Sequence, residues 1–245
     1  MERIISYPLS ALYMLLFGLI LVVFHPIQWL CFNLFGYEAH RKSVALLNLC
    51  LMRCTHLLGT SYTFRNTELL PGKGPAIIVA NHQSMYDIPP IIWQLRKLHP
   101  KFVSKKELGR GIPSVSYNLR HGGSALIDRK DRKQSLTAIR ELGEYIERTG
   151  RSAVIFPEGT RSRDGNPKPF RMVGLKVLVK NAPSAQIIPL SINNSWKILR
   201  FGKFPYGLGA HLEFILHPPV PAKGCTDKEL SDIEATIASA INESP

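Results

Sequence analysis

Residues 4–24 read IISYPLSALYMLLFGLILVVF, 21 positions without a charge. A helix of about 20 apolar residues crosses the hydrocarbon core of a bilayer. This block therefore sets the first requirement on the fold: it needs lipid or complete burial. His25 and Pro26 follow, then a second apolar stretch, IQWLCFNLFG, too short at ten residues to span. Its Trp29 suits a membrane–water interface. Two arrangements are open: a spanning helix followed by an interfacial one, or a shallow helical hairpin that never crosses. A cleaved signal peptide would have a shorter apolar region with a small-x-small site behind it. Neither is present, so residues 1–40 are expected to stay as a membrane anchor. His40, Arg41, Lys42 and Arg53 follow the block and only Arg3 precedes it. The positive-inside rule then places residues 41–245 on the cytoplasmic side.

Residues 41–245 are enough chain for one α/β domain with a sizeable core. The whole chain holds 31 Lys and Arg against 18 Asp and Glu, a net charge of +13. Residues 1–40 contribute only Glu2, Arg3 and Glu38, so the excess belongs to the second region. A basic domain behind an anchor implies an anionic partner, either a membrane surface or an acidic substrate. Nucleic acid would call for basic residues interleaved with stacking aromatics. Aromatics are 9% of the chain and many lie in the N-terminal block, so no nucleic acid is expected. Four cysteines do not build a disulfide framework at this length. Cys50, Cys54 and His56 invite a metal reading, but with Leu47, Leu51 and Leu58 they share one apolar helix face. No metal is expected.

The second region alternates strand and helix. Short apolar runs at residues 76–80, 102–104, 124–128, 153–156, 186–190 and 211–216 read as strands. Residues 131–149 show helical spacing in Leu136, Ile139, Leu142, Tyr145 and Ile146, with Gly150 as the stop. Residues 172–180 form a shorter candidate helix. Thr226 and Glu229 form a capping box that opens a last one. This order predicts an α/β fold: a largely parallel sheet flanked by helices, preceded by the N-terminal membrane-binding helical segment.

Ligands of such sheets bind beyond the carboxyl ends of the strands. Three of those ends carry chemistry. Residues 81–87 (NHQSMYD) follow the first strand, Arg129 follows another, and residues 157–163 (PEGTRSR) follow a third. His82 is a candidate base, because imidazole titrates near neutral pH. Asp87, at the start of the next helix, would accept from its Nδ1–H. Ser84 and Asp87 also read as a capping box, a purely structural alternative. Gly159 permits a tight turn near a ligand, and Arg161 with Arg163 can grip phosphate. A solvated charged loop is the alternative there.

Taken in order, these motifs resemble the glycerolipid acyltransferase family, most closely its bacterial 1-acylglycerol-3-phosphate acyltransferases. Asn81, His82 and Asp87 match the family's Asn-His-x-x-x-x-Asp. Gly123 and Ile127-Asp128-Arg129 match its second motif. Phe156 through Ser162 match Phe-Pro-Glu-Gly-Thr-Arg-Ser, and Ile187-Ile188-Pro189 the fourth. The resemblance implies transfer of a fatty acyl group from a thioester to the sn-2 hydroxyl of lysophosphatidic acid, giving phosphatidic acid. His82 and Asp87 would be catalytic. Asn81, Arg129, Glu158, Gly159, Thr160, Arg161 and Pro189 would form the acceptor site. Arg129 and Arg161 would hold the phosphate, with Glu158 and Thr160 shaping the glycerol side. The donor would be acyl-CoA or acyl-carrier protein, used as a substrate, with no bound cofactor. The expected partners are a lysophospholipid and anionic membrane lipid, and the expected site is a bacterial inner membrane. Another lysolipid, such as a lyso-ornithine lipid, would use the same motifs. A non-catalytic anionic-lipid binder would have no use for His82 and Asp87 beside Arg161. A serine hydrolase would need G-x-S-x-G, and the string from Gly122 to Leu126 lacks its last glycine.

Overall fold

In this computed structural model the described residues are 2–242. The chain opens with α1, Glu2–Thr55, which reverses at Gly36 (φ 77°, ψ −169°) into two arms. A side chain at Gly36 would be strained at that positive φ, so glycine is what lets the chain turn there. Leu21 and Phe24 of the first arm pack on Leu47 and Leu51 of the second. The Cys54 thiol approaches the Tyr13 carbonyl at 3.9 Å. The sequence divides its two apolar stretches at His25-Pro26, but the helix runs through both Pro8 and Pro26. The turn comes ten residues later than expected.

The first arm is inverted relative to a helix of a water-soluble protein. Ser6, Ser10, Tyr13 and Gln28 are among the residues it buries against the protein. Ile4, Leu15, Leu19, Val22, Leu34 and Phe35 lie outward, each more than half exposed. The arm is also docked along its length. Glu2 pairs with Arg200 at one end, and Asn33 donates to the Tyr117 hydroxyl (3.1 Å) at the other. Between them the Tyr206 N–H donates to Ser10 (2.8 Å), and the Ser114 hydroxyl donates to the Leu21 carbonyl (2.6 Å).

The remainder is an eight-stranded mixed sheet between helices. The elements are β1 (Ser61–Arg65), β2 (Ala76–Ala80), α2 (Ile88–Gln94), β3 (Pro100–Lys105), α3 (Val115–His121), β4 (Ala125–Ile127) and α4 (Arg132–Thr149). After them come β5 (Ser152–Ile155), α5 (Met172–Lys180), β6 (Gln186–Asn193), β7 (His211–Leu216), β8 (Val220–Pro221) and α6 (Asp227–Asn242). The strand order is β1-β7-β6-β2-β5-β3-β4, with β8 also on β6. β6, β2, β5, β3 and β4 run parallel, and β7 is antiparallel to β6.

Both faces of β2 are buried, which is why its five residues are all apolar. Ala76, Ile78 and Ala80 join one core with α2 and the α1 hairpin. Ile77 and Val79 join the other with α4, α5 and α6. Each fully buried isoleucine stabilises the fold by roughly 1.5–3 kcal/mol. Helix ends follow the expected chemistry. Asp131 caps α4 by accepting from the Gln134 N–H (2.9 Å), and Gly150 ends it at φ 65°. Thr226 and Glu229 form the reciprocal box before α6. The strands β1 and β8 and the helix α3 lack a matching sequence expectation; all three are short, and β1 and β8 become strands by pairing with β7 and β6.

Candidate active site

β2 lies between β5 and β6, so the segments leaving these three strands meet at one rim. Behind β2 the chain forms a single 3₁₀ turn at Met85–Asp87 before α2. Ser84 caps that turn, and the Asp87 carboxylate reaches back to accept from the Ser84 N–H (3.1 Å). The same carboxylate oxygen accepts from the Gln83 N–H (2.8 Å) and stands 2.7 Å from His82 Nδ1. The other oxygen accepts a short bond from the Ser195 hydroxyl. Asp87 is wholly buried, and the His82 side chain is 12% exposed. The two readings of the motif are therefore one device. The capping box fixes the carboxylate, and the fixed carboxylate orients the imidazole. With Nδ1–H donated to Asp87, the Nε2 lone pair points outward, where the Arg161 Nε–H meets it at 3.4 Å.

The loop after β5 builds the second wall. Phe156 stacks under the His82 ring, with centroids 4.2 Å apart and planes at 19°. The Gly159 N–H closes a turn on the Phe156 carbonyl (3.0 Å) at a φ of 68°, which favours glycine. Ser162 then donates from its N–H (2.8 Å) and hydroxyl (3.1 Å) to the His82 carbonyl. Arg161 is thereby pinned beside the imidazole. Burial pulls its guanidinium below the ordinary value, with Asp87 opposing and Arg163 adding to the fall.

Glu158 braces this wall from behind. One of its oxygens accepts from the His82 N–H (2.7 Å), the other from the Lys168 N–H (3.1 Å). Burial raises its carboxyl above the usual range against those two bonds. Asn81 sits deeper still, with both ends of its amide paired to the Ile192 backbone (2.8 and 2.7 Å), locking β2 to β6. Pro189 lies within β6, opposite Val79, below the rim. It falls where the outer partner of β6 changes from β8 to β7, so its missing N–H costs no ladder bond on that side. Thr160 is exposed at the crest of the loop. Arg129 leaves β4 two strands away from β5. Burial lowers its guanidinium, Glu107 opposes, and Arg161 and Arg171 add to the fall, so it faces the same basic rim.

Of the residues named from sequence, His82, Asp87, Glu158, Gly159 and Arg161 thus come together. Asn81, just past β2, is tied to β6, Pro189 lies in β6, and Arg129 and Thr160 are at the margin. Ser195 was missed. It follows β6, the fourth strand end on this rim, and the strand-end rule alone would have found it. Gln83, which accepts from the Ser195 N–H (3.0 Å), was likewise missed. So was Arg171, whose side chain passes over Gly159.

The profile of the family described as Acyltransferase matches residues 61–193, more than half of the chain. This chain belongs to the acyltransferase family. The matched segment contains the whole rim except Ser195. A 1-acyl-sn-glycerol-3-phosphate acyltransferase of Helicobacter pylori is 37% identical over 129 residues, covering 51% of either chain. One from Borreliella burgdorferi is 27% identical over 201 residues, 82% of this acyltransferase and 78% of the relative. The chain spans about half the length of the first curated relatives it matches. Among solved structures, the 1-acyl-sn-glycerophosphate acyltransferase PlsC of Thermotoga maritima superposes with a TM-score of 0.82 at 25% identity. That match covers 99% of this chain and 97% of the other.

Proposed function

We propose that this acyltransferase moves a fatty acyl group from a thioester donor to the sn-2 hydroxyl of lysophosphatidic acid. The observation that carries the reading is the 3.4 Å between His82 Nε2 and Arg161 Nε. A base and a phosphate-gripping guanidinium that close together select an acceptor whose hydroxyl and phosphate are only a few bonds apart. Lysophosphatidic acid is such a molecule. The relatives' shared name supports the same acceptor.

The chemistry follows from the geometry. An alcohol becomes a competent nucleophile when a base takes its proton during attack. Nε2 of His82 takes that proton as the sn-2 oxygen bonds to the thioester carbonyl carbon. Asp87 stabilises the imidazolium that forms. The tetrahedral intermediate then collapses, the carbon–sulfur bond breaks, and the thiolate leaves with the proton returned by His82. The substrate hydroxyl stands where a hydrolase would place its serine, so no acyl-enzyme forms. Purified protein given acyl-CoA or acyl-carrier protein and lysophosphatidic acid is expected to yield phosphatidic acid and one free thiol per product. Hydrolysis of the thioester without acyl transfer would overturn the reading.

We also infer that α1 embeds in one leaflet rather than crossing. The first arm is long enough to span, about 50 Å at ~1.5 Å per residue, and its outward face is apolar. Yet both its ends touch the same α/β domain, and a helix so held cannot carry one end across a bilayer. In a background whose four cysteines are serine, Glu2→Cys and Glu38→Cys are expected to react with an impermeant thiol reagent from the same side. The protein should resist extraction by alkaline carbonate. Labelling from opposite sides would overturn the embedded arrangement.

A further inference from the structure

At the opposite end of the sheet from His82, the strands β3 and β5 begin beside the turn of the α1 hairpin. A small cavity opens there, about 30 Å³, lined by residues that include Tyr37, Arg41, Arg96, His99 and Lys101. Lys101 is 6% exposed, and its ammonium donates to the Tyr37 hydroxyl (2.8 Å). Among the described residues no carboxylate lies within ion-pair distance of it. The neighbours are cationic instead. Arg151 stacks on the Tyr37 ring at 3.8 Å, and Arg96 stacks on Trp93 at 4.1 Å. Arg41 is held over the cavity by a bond to the Arg96 carbonyl (3.2 Å). Glu38, the acid that acts on Lys101 among the described residues, is engaged by Arg41 at 2.8 Å and stands 4.0 Å from His99 Nδ1.

A buried ammonium that faces the guanidiniums of Arg151 and Arg41 is costly unless a negative charge completes it. Burial drives the Lys101 ammonium down to about 7, Arg151 and Arg41 adding to the fall and Glu38 opposing. We propose that this basic cavity binds a phosphate group, at a site separate from the His82 cleft. Its size limits the occupant. Space for one or two waters admits two oxygens of a phosphate group, leaving the rest at the open mouth, and excludes a base or sugar. Two sources offer that chemistry: the headgroup of an anionic lipid, and free phosphate. The exposed apolar Leu34 and Phe35, just before the hairpin turn, bring lipid headgroups within reach. The site is not an outlier of the active site. Ser152, beside Arg151, is paired with Ala76, and His82 lies six residues further along, roughly 20 Å at ~3.3 Å per residue.

The test uses full-length protein with two probes. Inorganic phosphate is titrated by calorimetry against protein in neutral detergent. Phosphatidic acid is titrated into nanodiscs of zwitterionic lipid carrying the protein. Lys101→Met and Arg96→Gln are each expected to weaken binding by roughly tenfold or more, the size of one hydrogen bond to a charged group. Lys101→Met should keep or raise the thermal midpoint of the free protein, since it removes a lone buried charge. That separates a lost site from a lost fold. Binding at the cleft survives these substitutions, so only the component they remove belongs to the cavity. If that component appears with phosphatidic acid alone, the headgroup is the source; if with inorganic phosphate too, the site takes any phosphate group. No component sensitive to Lys101→Met and Arg96→Gln with either probe overturns the proposal.

Discussion

His82→Ala is expected to lower kcat by ~10²–10⁴ while leaving the fold intact, the usual worth of a positioned general base. The fold should survive the loss of the ring because the bonds that tie this segment to the loop after β5 are made by the His82 backbone. The His82 N–H goes to Glu158, and its carbonyl takes both donors of Ser162. Asp87→Asn is expected to be comparably severe for a different reason. Its four donors arrive from His82, Gln83, Ser84 and Ser195. An asparagine oxygen can still accept from the first three, and its amide can turn toward the Ser195 hydroxyl oxygen. What it cannot supply is the negative charge that stabilises the imidazolium. Asp87→Ala instead strands the Gln83 and Ser84 N–H groups and should lower the thermal midpoint as well. Because His82 and Asp87 work as a unit, the double variant His82→Ala/Asp87→Asn should be no slower than His82→Ala alone. Single-turnover rates with a saturating thioester donor check all three variants. Near-normal turnover by His82→Ala would remove the general-base mechanism.

The strands that the sequence made plain are those buried on both faces. Residues 76–80 coincide with β2, because a continuous apolar run between turn residues has little else to become, and residues 211–216 (HLEFIL), apolar at four of six positions, coincide with β7. β1 was hidden for the opposite reason. SYTFR is half-exposed and becomes a strand through its parallel partner β7, some 150 residues away. The site divides along the same line. His82, Asp87 and Arg161 sit next to strand ends within single short motifs, so local order was enough to place them. What no local pattern carries is which side of a motif faces the cleft. Asn81 and Glu158 look like binding residues in sequence, yet their polar atoms are committed to the backbones of Ile192, His82 and Lys168. Ser195 reaches Asp87 only because β6 lies beside β2, a consequence of strand order. The hairpin turn does not fall at His25-Pro26, where the sequence divides its two apolar stretches, but at Gly36. An apolar helix packed on both Leu47 and Leu51 absorbs the lost bond at Pro26, whereas the positive φ at residue 36 reverses the chain.

Arg161→Ala is expected to raise KM for lysophosphatidic acid by roughly 10- to 150-fold. That follows from a charged hydrogen bond worth ~1.5–3 kcal/mol at ~1.4 kcal/mol per decade. The thioester donor should be affected less, because the proposed partner of the guanidinium is the acceptor's phosphate. If the phosphate is gripped more tightly in the transition state than in the ground state, kcat falls too. Arg161→Lys should rescue only in part. An ammonium at the end of a flexible stem cannot reproduce the planar fork that donates in two directions. The decisive comparison is an acceptor without phosphate, such as a monoacylglycerol. The unaltered protein should use it poorly, and Arg161→Ala should be no worse than the unaltered protein on it. The phosphate contact is the only one the substitution removes from the substrate, so on that acceptor there is nothing left to lose. Equal damage on both acceptors would mean that Arg161 acts through the His82 ring it touches, and the phosphate assignment would fall.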